Sequence, residues 1–404
     1  MGFAEEKVGK IFKFLLLFYI VLIPFGQLAR FDIKVLNFTI PFIFYDLVAV
    51  ALLVIHLFYR TKLKVNKQMF YFFLSALFSF LVNIKFVFDQ NTINSTLYLL
   101  RLASWGAIYS AASYVIGKNL IKSDNLTKYL YYSIFAACLF GFFQYIFVPD
   151  LRFLIKFGWD DHLNRLAGFY FDPTYIGFLS VFGFFLSFFI YHKNLNPKNI
   201  FLFCSFFLIV LLLTYSRASY LAFITSSIYF FASLYSKKLI NIVAIFALIS
   251  VFVFFFFSFS RFEGEGVRLG RVASIYQRLE NYSQTLTIIK DYPLFGVGFN
   301  NMCRVRLDYF GGDANSNACS GADSSVLFIW AATGVVGLIL FINLLYVLFW
   351  RKNSNLFVKT IFIAIFVHSI FSNSFFYSLI VGIFMIIFVI ASDLRHKINN
   401  KFFF

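Results

Sequence analysis

Arg217 is the residue of this chain best suited to bind an anion, because it lies inside an otherwise apolar run. That run, Ile200 to Tyr235, would measure about 54 Å as one straight helix. A bilayer's hydrocarbon core is about 30 Å thick, so the run fits two spans rather than one. Cytoplasmic lysines on both sides would make it a hairpin with Tyr215-Ser216-Arg217 at its outer tip. A cation at that depth is costly unless an anion binds it.

The basic residues divide by type between the two sides of this topology. Those on the cytoplasmic side are almost all lysines, whereas those on the outer side are mostly arginines. An arginine offers a rigid donor fork that matches phosphate and carboxylate groups, so some of the outer arginines are predicted to bind a ligand. Salt bridges with outer Asp and Glu residues are the alternative. The outer arginines are Arg30, Arg101, Arg152, Arg165, Arg217, Arg261, Arg268, Arg271, Arg278, Arg304 and Arg306.

Composition indicates a membrane protein of the all-α polytopic class. The chain has 404 residues, of which 61% are hydrophobic and 13% charged, and its mean hydropathy is +0.82. A formal charge of +17 would suggest nucleic acid as the partner of a soluble protein. Here it reflects the lysine bias of cytoplasmic loops, so no nucleic-acid partner is expected.

Twelve apolar segments alternate with charged connections, and this pattern predicts about twelve transmembrane helices with both termini in the cytoplasm. The whole chain, 1–404, is then one integral membrane domain. Two outer connections are long, residues 149–173 and residues 260–322, and the second lies between spans nine and ten. The predicted spans are 11–28, 40–59, 68–88, 97–117, 129–148, 174–191, 200–215, 218–235, 239–259, 324–349, 356–372 and 375–392.

The longer outer loop has a helical pattern of its own. Its apolar residues recur at helical spacing, which predicts an amphipathic helix that ends at Pro293. Arg271 and Arg278 are seven residues apart and share one face of this helix. The apolar positions are Val272, Ile275, Tyr276, Leu279, Tyr282, Leu286 and Ile289.

The cysteines and histidines offer no metal site. Cys303 and Cys319 lie in the outer loop, where a disulfide between them is plausible in an oxidising compartment. No Cys/His cluster has metal-ligand spacing. His162 and His368 have no paired carboxylates nearby and are interpreted as structural.

Three motifs, in this order, resemble those of the O-antigen polymerases and O-antigen ligases, membrane glycosyltransferases of bacterial surface polysaccharides. Each motif alone is weak, but their order with the large outer loop makes the resemblance specific over residues 165–337. They are Arg165-Leu-Ala-Gly168-Phe-Tyr-Phe-Asp172-Pro173-Thr, Thr214-Tyr-Ser216-Arg217-Ala, and Arg278 through Tyr282 to Tyr292-Pro293-Leu-Phe-Gly296-Val-Gly298-Phe-Asn.

One departure from the family pattern bears on the activity. Ligases of the family tend to carry a histidine that begins His-Asn/Ser-x-x-Leu, followed six residues later by Gly-x-x-Gly. This chain keeps the spacing from Ser324 to Leu327 and from Gly334 to Gly337, but Asp323 replaces the histidine. The resemblance therefore favours a polymerase over a ligase.

The resemblance implies a GT-C-like glycosyltransferase that needs neither metal nor cofactor. Its donor would be a glycan on undecaprenyl pyrophosphate, and its site would face the periplasm from the bacterial inner membrane. Arginines would stabilise the departing pyrophosphate, and a carboxylate would act as base in an inverting transfer. The predicted binding residues are Arg217, Arg278, Arg165, Arg271 and Arg101, and the predicted bases are Asp323 and then Asp172. Membrane lipids and a chain-length regulator, a polysaccharide co-polymerase, are the further partners implied.

Structural roles remain open for most of these residues. Asp172 before Pro173 has the pattern of a helix N-cap, and so does Asp323 before two serines. Arg101 could extend to lipid headgroups, and Arg278 could lie on a solvated face. At the level of function, a ligase that delivers glycan to lipid A–core is the nearest alternative. A flippase for the same lipid-linked sugars is the alternative of another class.

Overall fold

The chain is described by a computed structural model over residues 3–35, 38–59, 66–83, 90–191, 197–233, 265–268, 272–312, 319, 321–350 and 356–398. The predicted ninth span, 239–259, and Arg271 lie outside these residues. The structure is almost entirely helical, as an all-α membrane protein requires. Every predicted span that falls within the described residues contains a helix.

The helices of the described residues are α1 Phe3–Leu22, α2 Phe44–Phe58, α3 Lys67–Asn83, α4 Gln90–Gly117, α5 Ser123–Phe147, α6 Pro173–Tyr191, α7 Pro197–Leu213, α8 Arg217–Ala232, α9 Ala273–Asp291, α10 Met302–Phe310, α11 Ser325–Leu345, α12 Leu356–Phe371 and α13 Ser378–Ile398. Eleven of these described helices overlap predicted spans, and two more, α9 and α10, lie in the second long outer loop. Short 3-10 turns span Ile23–Ala29, Arg152–Phe157, Gly168–Tyr170, Glu265–Val267 and Ser374–Phe376, and a π-helical turn, Tyr346–Trp350, continues α11.

A β-hairpin precedes α2, which the sequence did not predict. Strand β1, Arg30–Val35, pairs antiparallel with β2, Phe38–Ile43, so that Arg30 lies opposite Ile43. The predicted second span began at residue 40, but helix α2 begins only at Phe44. The segment before it is rich in Phe, Ile and Thr, residue types that favour strands.

Four helices of the described chain are long and apolar enough to cross a membrane. They are Glu5–Ala29, Ser123–Phe147, Pro173–Ile190 and Ser325–Trp350. Shorter apolar helices span Phe44–Phe58, Lys198–Leu213, Leu356–Phe371 and Ser378–Asp393.

Helices α6 and α13 lie at the centre of the bundle. Most of α6 is buried, and nearly every residue from Leu379 to Ile390 in α13 is buried as well. Both helices are apolar on all sides, which is the pattern of a helix enclosed by other helices. Helix α6 packs against α7 and α8, while α13 packs against α4 and α5.

Helix α11 is interrupted at Gly334, where the chain after α9 joins it. Gly334 has φ 65° and ψ −171°, far from helical values. The Val297 amide donates to Ala331 O at 2.9 Å, and the Val335 amide donates to Pro293 O at 2.9 Å. The Pro-Leu-x-Gly-x-Gly motif therefore satisfies the backbone groups that the interruption exposes.

Both glycines at this junction are required by backbone contact. A Cβ on Gly334 would clash with the Leu294 carbonyl group, and a Cβ on Gly296 would lie 2.5 Å from Ala331 O. On α3, the Ser79 hydroxyl donates to Ala332 O at 2.7 Å and adds a third element. The Pro-Leu-x-Gly-x-Gly motif, from Pro293 to Gly298, and the Gly-x-x-Gly motif, from Gly334 to Gly337, thus meet at one backbone junction.

We predict that Gly334→Ala lowers the free energy of unfolding by at least about 2 kcal/mol, because a Cβ there meets backbone and the φ is left-handed. Gly311→Ala is the matched control, since Gly311 also has a positive φ, 67°, but open space around it. Thermal unfolding of the detergent-solubilised protein measures both changes. Equal losses in the two variants would show that the junction contact is unimportant.

Candidate active site

The turn between α7 and α8 is hydrogen-bonded to the first long outer loop, residues 149–173. Helix α7 ends at Leu213, and α8 begins at Arg217 with Ser216 as its N-cap, whose hydroxyl accepts from the Ser219 amide. The buried Arg165 donates from Nε to Thr214 O at 3.0 Å. The first and second motifs of the sequence are therefore adjacent in space.

A hydrogen bond from Arg217 connects this turn to the second long outer loop, which contains α9. Its Nη2 donates to the Ser274 hydroxyl of α9 at 2.6 Å, and its side chain is half-buried. Arg278, one turn further along α9, lies within electrostatic range of Arg217. The two arginines first proposed to bind an anion are therefore brought together from different parts of the chain.

Asp172 caps its own helix, as its position before Pro173 suggested. The Thr174 amide donates to Asp172 Oδ1 at 2.7 Å. Burial raises the pKa of the Asp172 carboxyl, while the hydrogen bonds from Thr174 and the charges of Arg165 and Arg278 act in the opposite direction. Asp172 thus caps α6 and also lies within electrostatic range of Arg165 and Arg278.

Asp323 is held through its backbone, which leaves its carboxyl group available. Its amide donates to Asn281 Oδ1 at 3.1 Å. The N-cap of α11 is Ser324 rather than Asp323. Among the described residues, the Asp323 carboxyl accepts no hydrogen bond. Burial raises the pKa of this carboxyl, while the charges of Arg278 and Arg306 lower it.

Arg306 lies within electrostatic range of Asp323, although the sequence did not single it out. It is buried, and it donates to Gly321 O at 2.8 Å and to the Thr285 hydroxyl at 2.9 Å. Its charge acts on Asp323. As one of many outer arginines, it carried no distinguishing local motif in the sequence.

A disulfide bond joins Cys303 to Cys319, with an S–S distance of 2.04 Å. It links helix α10, which carries Arg306, to the segment leading to Asp323.

Asp160 is a further charged residue that the sequence did not single out. It lies within electrostatic range of Asp172, Arg165 and Asp323.

Arg101 is placed elsewhere. Its guanidinium forms an ion pair with Asp46 at 2.7 Å and stacks over the Tyr98 ring at 4.4 Å. Both charged side chains are largely buried. A salt bridge, the alternative to ligand binding, is therefore the interaction that the structure gives Arg101.

His162 and His368 are both buried. His368 Nδ1 lies 2.6 Å from the Ser374 hydroxyl and its Nε2 lies 3.3 Å from the Ser219 hydroxyl, while the ring stacks on Phe178. These contacts occupy both ring nitrogens, which agrees with the structural interpretation of this residue.

Unusual backbone conformations concentrate around the cluster. Of the five non-glycine residues with a positive φ in the described part of the chain, three lie beside the cluster: Asn164 at 55°, Phe171 at 53° and Tyr215 at 51°. Such conformations are uncommon and cost free energy, and they persist where the surrounding structure fixes them. Asn164 directly precedes Arg165, Phe171 directly precedes Asp172, and Tyr215 lies two residues before Arg217.

The cluster is defined by Arg165, Arg217, Arg278, Arg306, Asp160, Asp172 and Asp323. It combines guanidinium groups, which stabilise an anion, with carboxyl groups whose raised pKa suits proton transfer. Among the described residues, no group of three His, Cys, Asp or Glu side chains could hold a metal ion. The arrangement can bind a phosphate-containing group and accept a proton beside it.

We predict that Arg165→Gln lowers the free energy of unfolding by about 1–3 kcal/mol, because it removes a charged donor from the buried Thr214 carbonyl. Arg152→Gln is the control. Arg152 is exposed and paired with Asp150, so its loss should cost less than about 1 kcal/mol. Thermal unfolding compares the two variants, and equal stability of both would remove the structural role of Arg165.

Comparison with known proteins agrees with the motifs. Residues 200–342 match the family model described as O-antigen ligase, whereas no curated protein matches the chain. The matched region includes the hairpin tip, α9, the glycine junction and Asp323, and it excludes the outer loop that supplies Arg165 and Asp172. The match confirms, over residues 200–342, the resemblance to the O-antigen polymerase and ligase family.

Proposed function

We propose that the protein is an O-antigen polymerase of the bacterial inner membrane. It transfers the growing glycan from undecaprenyl pyrophosphate to the non-reducing end of a new lipid-linked repeat unit. It would cross the membrane about twelve times with both termini in the cytoplasm, and its site would face the periplasm. A chain-length regulator would act with it.

The convergence of Arg217 and Arg278 is the observation that carries this proposal. They come from separate parts of the chain, a hairpin tip and an outer-loop helix, and lie within electrostatic range of each other. Two like charges in a half-buried place repel each other, and an anion between them relieves that repulsion. A lipid diphosphate at the membrane edge has the charge and the location to do so.

The transfer follows from the groups present. The acceptor hydroxyl attacks the anomeric carbon of the donor glycan, the new glycosidic bond forms, and the bond from that carbon to the phosphate oxygen breaks. Undecaprenyl pyrophosphate departs with the bonding electrons, and Arg217 and Arg278 stabilise the charge that develops on it. Asp323 accepts the proton of the hydroxyl. Attack from the side opposite the leaving group inverts the anomeric configuration.

Asp323 is preferred to Asp172 as the base because its carboxyl is unengaged. The Asp172 carboxyl already accepts the hydrogen bond that caps α6. Asp323 is also close to Arg278, so a hydroxyl beside it would be near the bound diphosphate.

Ligase activity is the second candidate, because the matching family model is described as O-antigen ligase. Asp323, in the place where ligases tend to have histidine, favours the polymerase. Deletion of the gene should leave lipid A–core bearing a single repeat unit if the protein is a polymerase. Bare core in the deletion strain would instead identify a ligase.

Both Arg217→Ala and Arg217→Lys should reduce glycan polymerisation by about 10²–10³-fold, because lysine keeps the charge but loses the bidentate fork. The length distribution of O-antigen chains on a gel measures this effect. Arg152→Ala, which alters an exposed outer arginine outside the cluster, should give a normal distribution. A normal distribution from Arg217→Ala would refute its role.

The pH dependence tests Asp323. A base must be ionised, so activity should fall on the acid side at the raised pKa of Asp323, above the ordinary value of about 3.9. Arg306 lowers that pKa, so Arg306→Gln should move the acid limb to higher pH, whereas Arg306→Lys should leave it nearly in place. Elongation of lipid-linked glycan by the purified protein gives the profile. If the acid side of the pH–activity profile of Arg306→Gln lies at the same pH as that of the unchanged protein, Asp323 is excluded as the group that titrates.

A further inference from the structure

The outward face of α9 is exposed and is apolar from Val272 to Leu279, after which Leu286 alternates with Ser283 and Lys290. Its inward face carries Arg278 of the cluster, together with Ser274 and Asn281, which contact Arg217 and Asp323. On the opposite face, residues at helical spacing are exposed to between 42% for Leu286 and 69% for Tyr276. A soluble loop helix normally buries such a stripe. The stripe consists of Val272, Ile275, Tyr276, Leu279 and Leu286.

The second half of α9 lies beside α11 rather than beyond its end. Near the start of α11, Asn281 contacts the Asp323 amide at 3.1 Å. Deeper along α11, Pro293 O accepts from the Val335 amide at 2.9 Å. Twelve residues separate these contacts on both segments, about 18 Å if helical. The second half of α9 therefore runs parallel to the first turns of α11, which belongs to a candidate membrane span.

The stripe continues into surface that belongs to the membrane helices. Directly after α9, Leu294 is 60% exposed, and its carbonyl accepts from the Val336 amide of α11. Phe295 packs against Phe78 of α3, with ring centroids 5.1 Å apart. Ile339, one turn beyond Val336, is 60% exposed on α11. Exposed apolar residues thus extend from α9 through Leu294 and Phe295 to Val336 and Ile339 of α11.

We propose that the outward face of α9 is embedded in the outer leaflet of the membrane, with its stripe against lipid acyl chains. The long outer loop would then not be wholly in the aqueous phase. Its helix forms a side wall of the cluster at the depth of the lipid headgroups, with polar residues facing the cluster and apolar residues facing lipid. This placement does not depend on the proposed transferase activity.

Spin labels at single cysteines test the placement in the full chain reconstituted in nanodiscs. The buried Cys138 and Cys204 are replaced by alanine, and the disulfide is kept. Labels are placed at Leu279→Cys and Leu286→Cys on the stripe. Glu280→Cys, one residue on and exposed on a polar side of the helix, is the matched control. Ile339→Cys on α11 gives the value for a lipid-facing position.

Power saturation in oxygen and in a water-soluble nickel chelate gives the relative accessibility of each label. We expect labels at positions 279 and 286 to resemble that at 339, with oxygen favoured over the chelate several-fold more than at 280. Chelate accessibility at 279 equal to that at 280 would place the stripe in water and overturn the proposal. Low accessibility to both reagents would show that protein covers the stripe and would also overturn it.

Discussion

The cluster depends on the proximity of two guanidinium groups, those of Arg217 and Arg278. Their mutual repulsion is the constraint that the surrounding structure must balance. Arg217 and Arg278 lie within electrostatic range of each other, and the carboxyls of Asp172 and Asp323 are near Arg278 without forming an ion pair within 4.0 Å among the described residues. These opposite charges compensate part of the repulsion between the two guanidinium groups. Under the proposed function, an anionic substrate would compensate the remainder.

The backbone junction at Gly334 holds one side of this arrangement in place. It fixes the end of α9 to α11, and the contact between Asn281 and the Asp323 amide fixes its middle. Arg217 fixes its beginning through Ser274. With three attachments along its length, α9 can hold Arg278 at a set distance from Asp323. The glycine motifs thus help to position α9 and the Arg278 that it carries.

Sequence reasoning predicted the elements with local patterns and missed those formed by distant contacts. The lysine pattern around residues 200–235 predicted the hairpin tip at Arg217, because hydropathy and charge fix topology locally. The electrostatic proximity of Arg306 to Asp323 and the ion pair of Arg101 with Asp46 depend on tertiary packing that no spacing encodes. Periodicity located the amphipathic helix but could not say which face meets the bundle. Its buried side carries Asn281 and Thr285 together with Ile288 and Ile289, whereas five of the apolar positions that predicted the helix are exposed.

Binding of undecaprenyl pyrophosphate to the purified protein, in a double-mutant cycle of Arg217→Gln and Arg278→Gln, tests the central claim most directly. If both guanidinium groups contact one diphosphate, each substitution should weaken binding and the two losses should be strongly non-additive. Circular dichroism of each variant confirms that the helices remain. Independent, additive losses, or affinity unchanged in either single variant, would contradict the account.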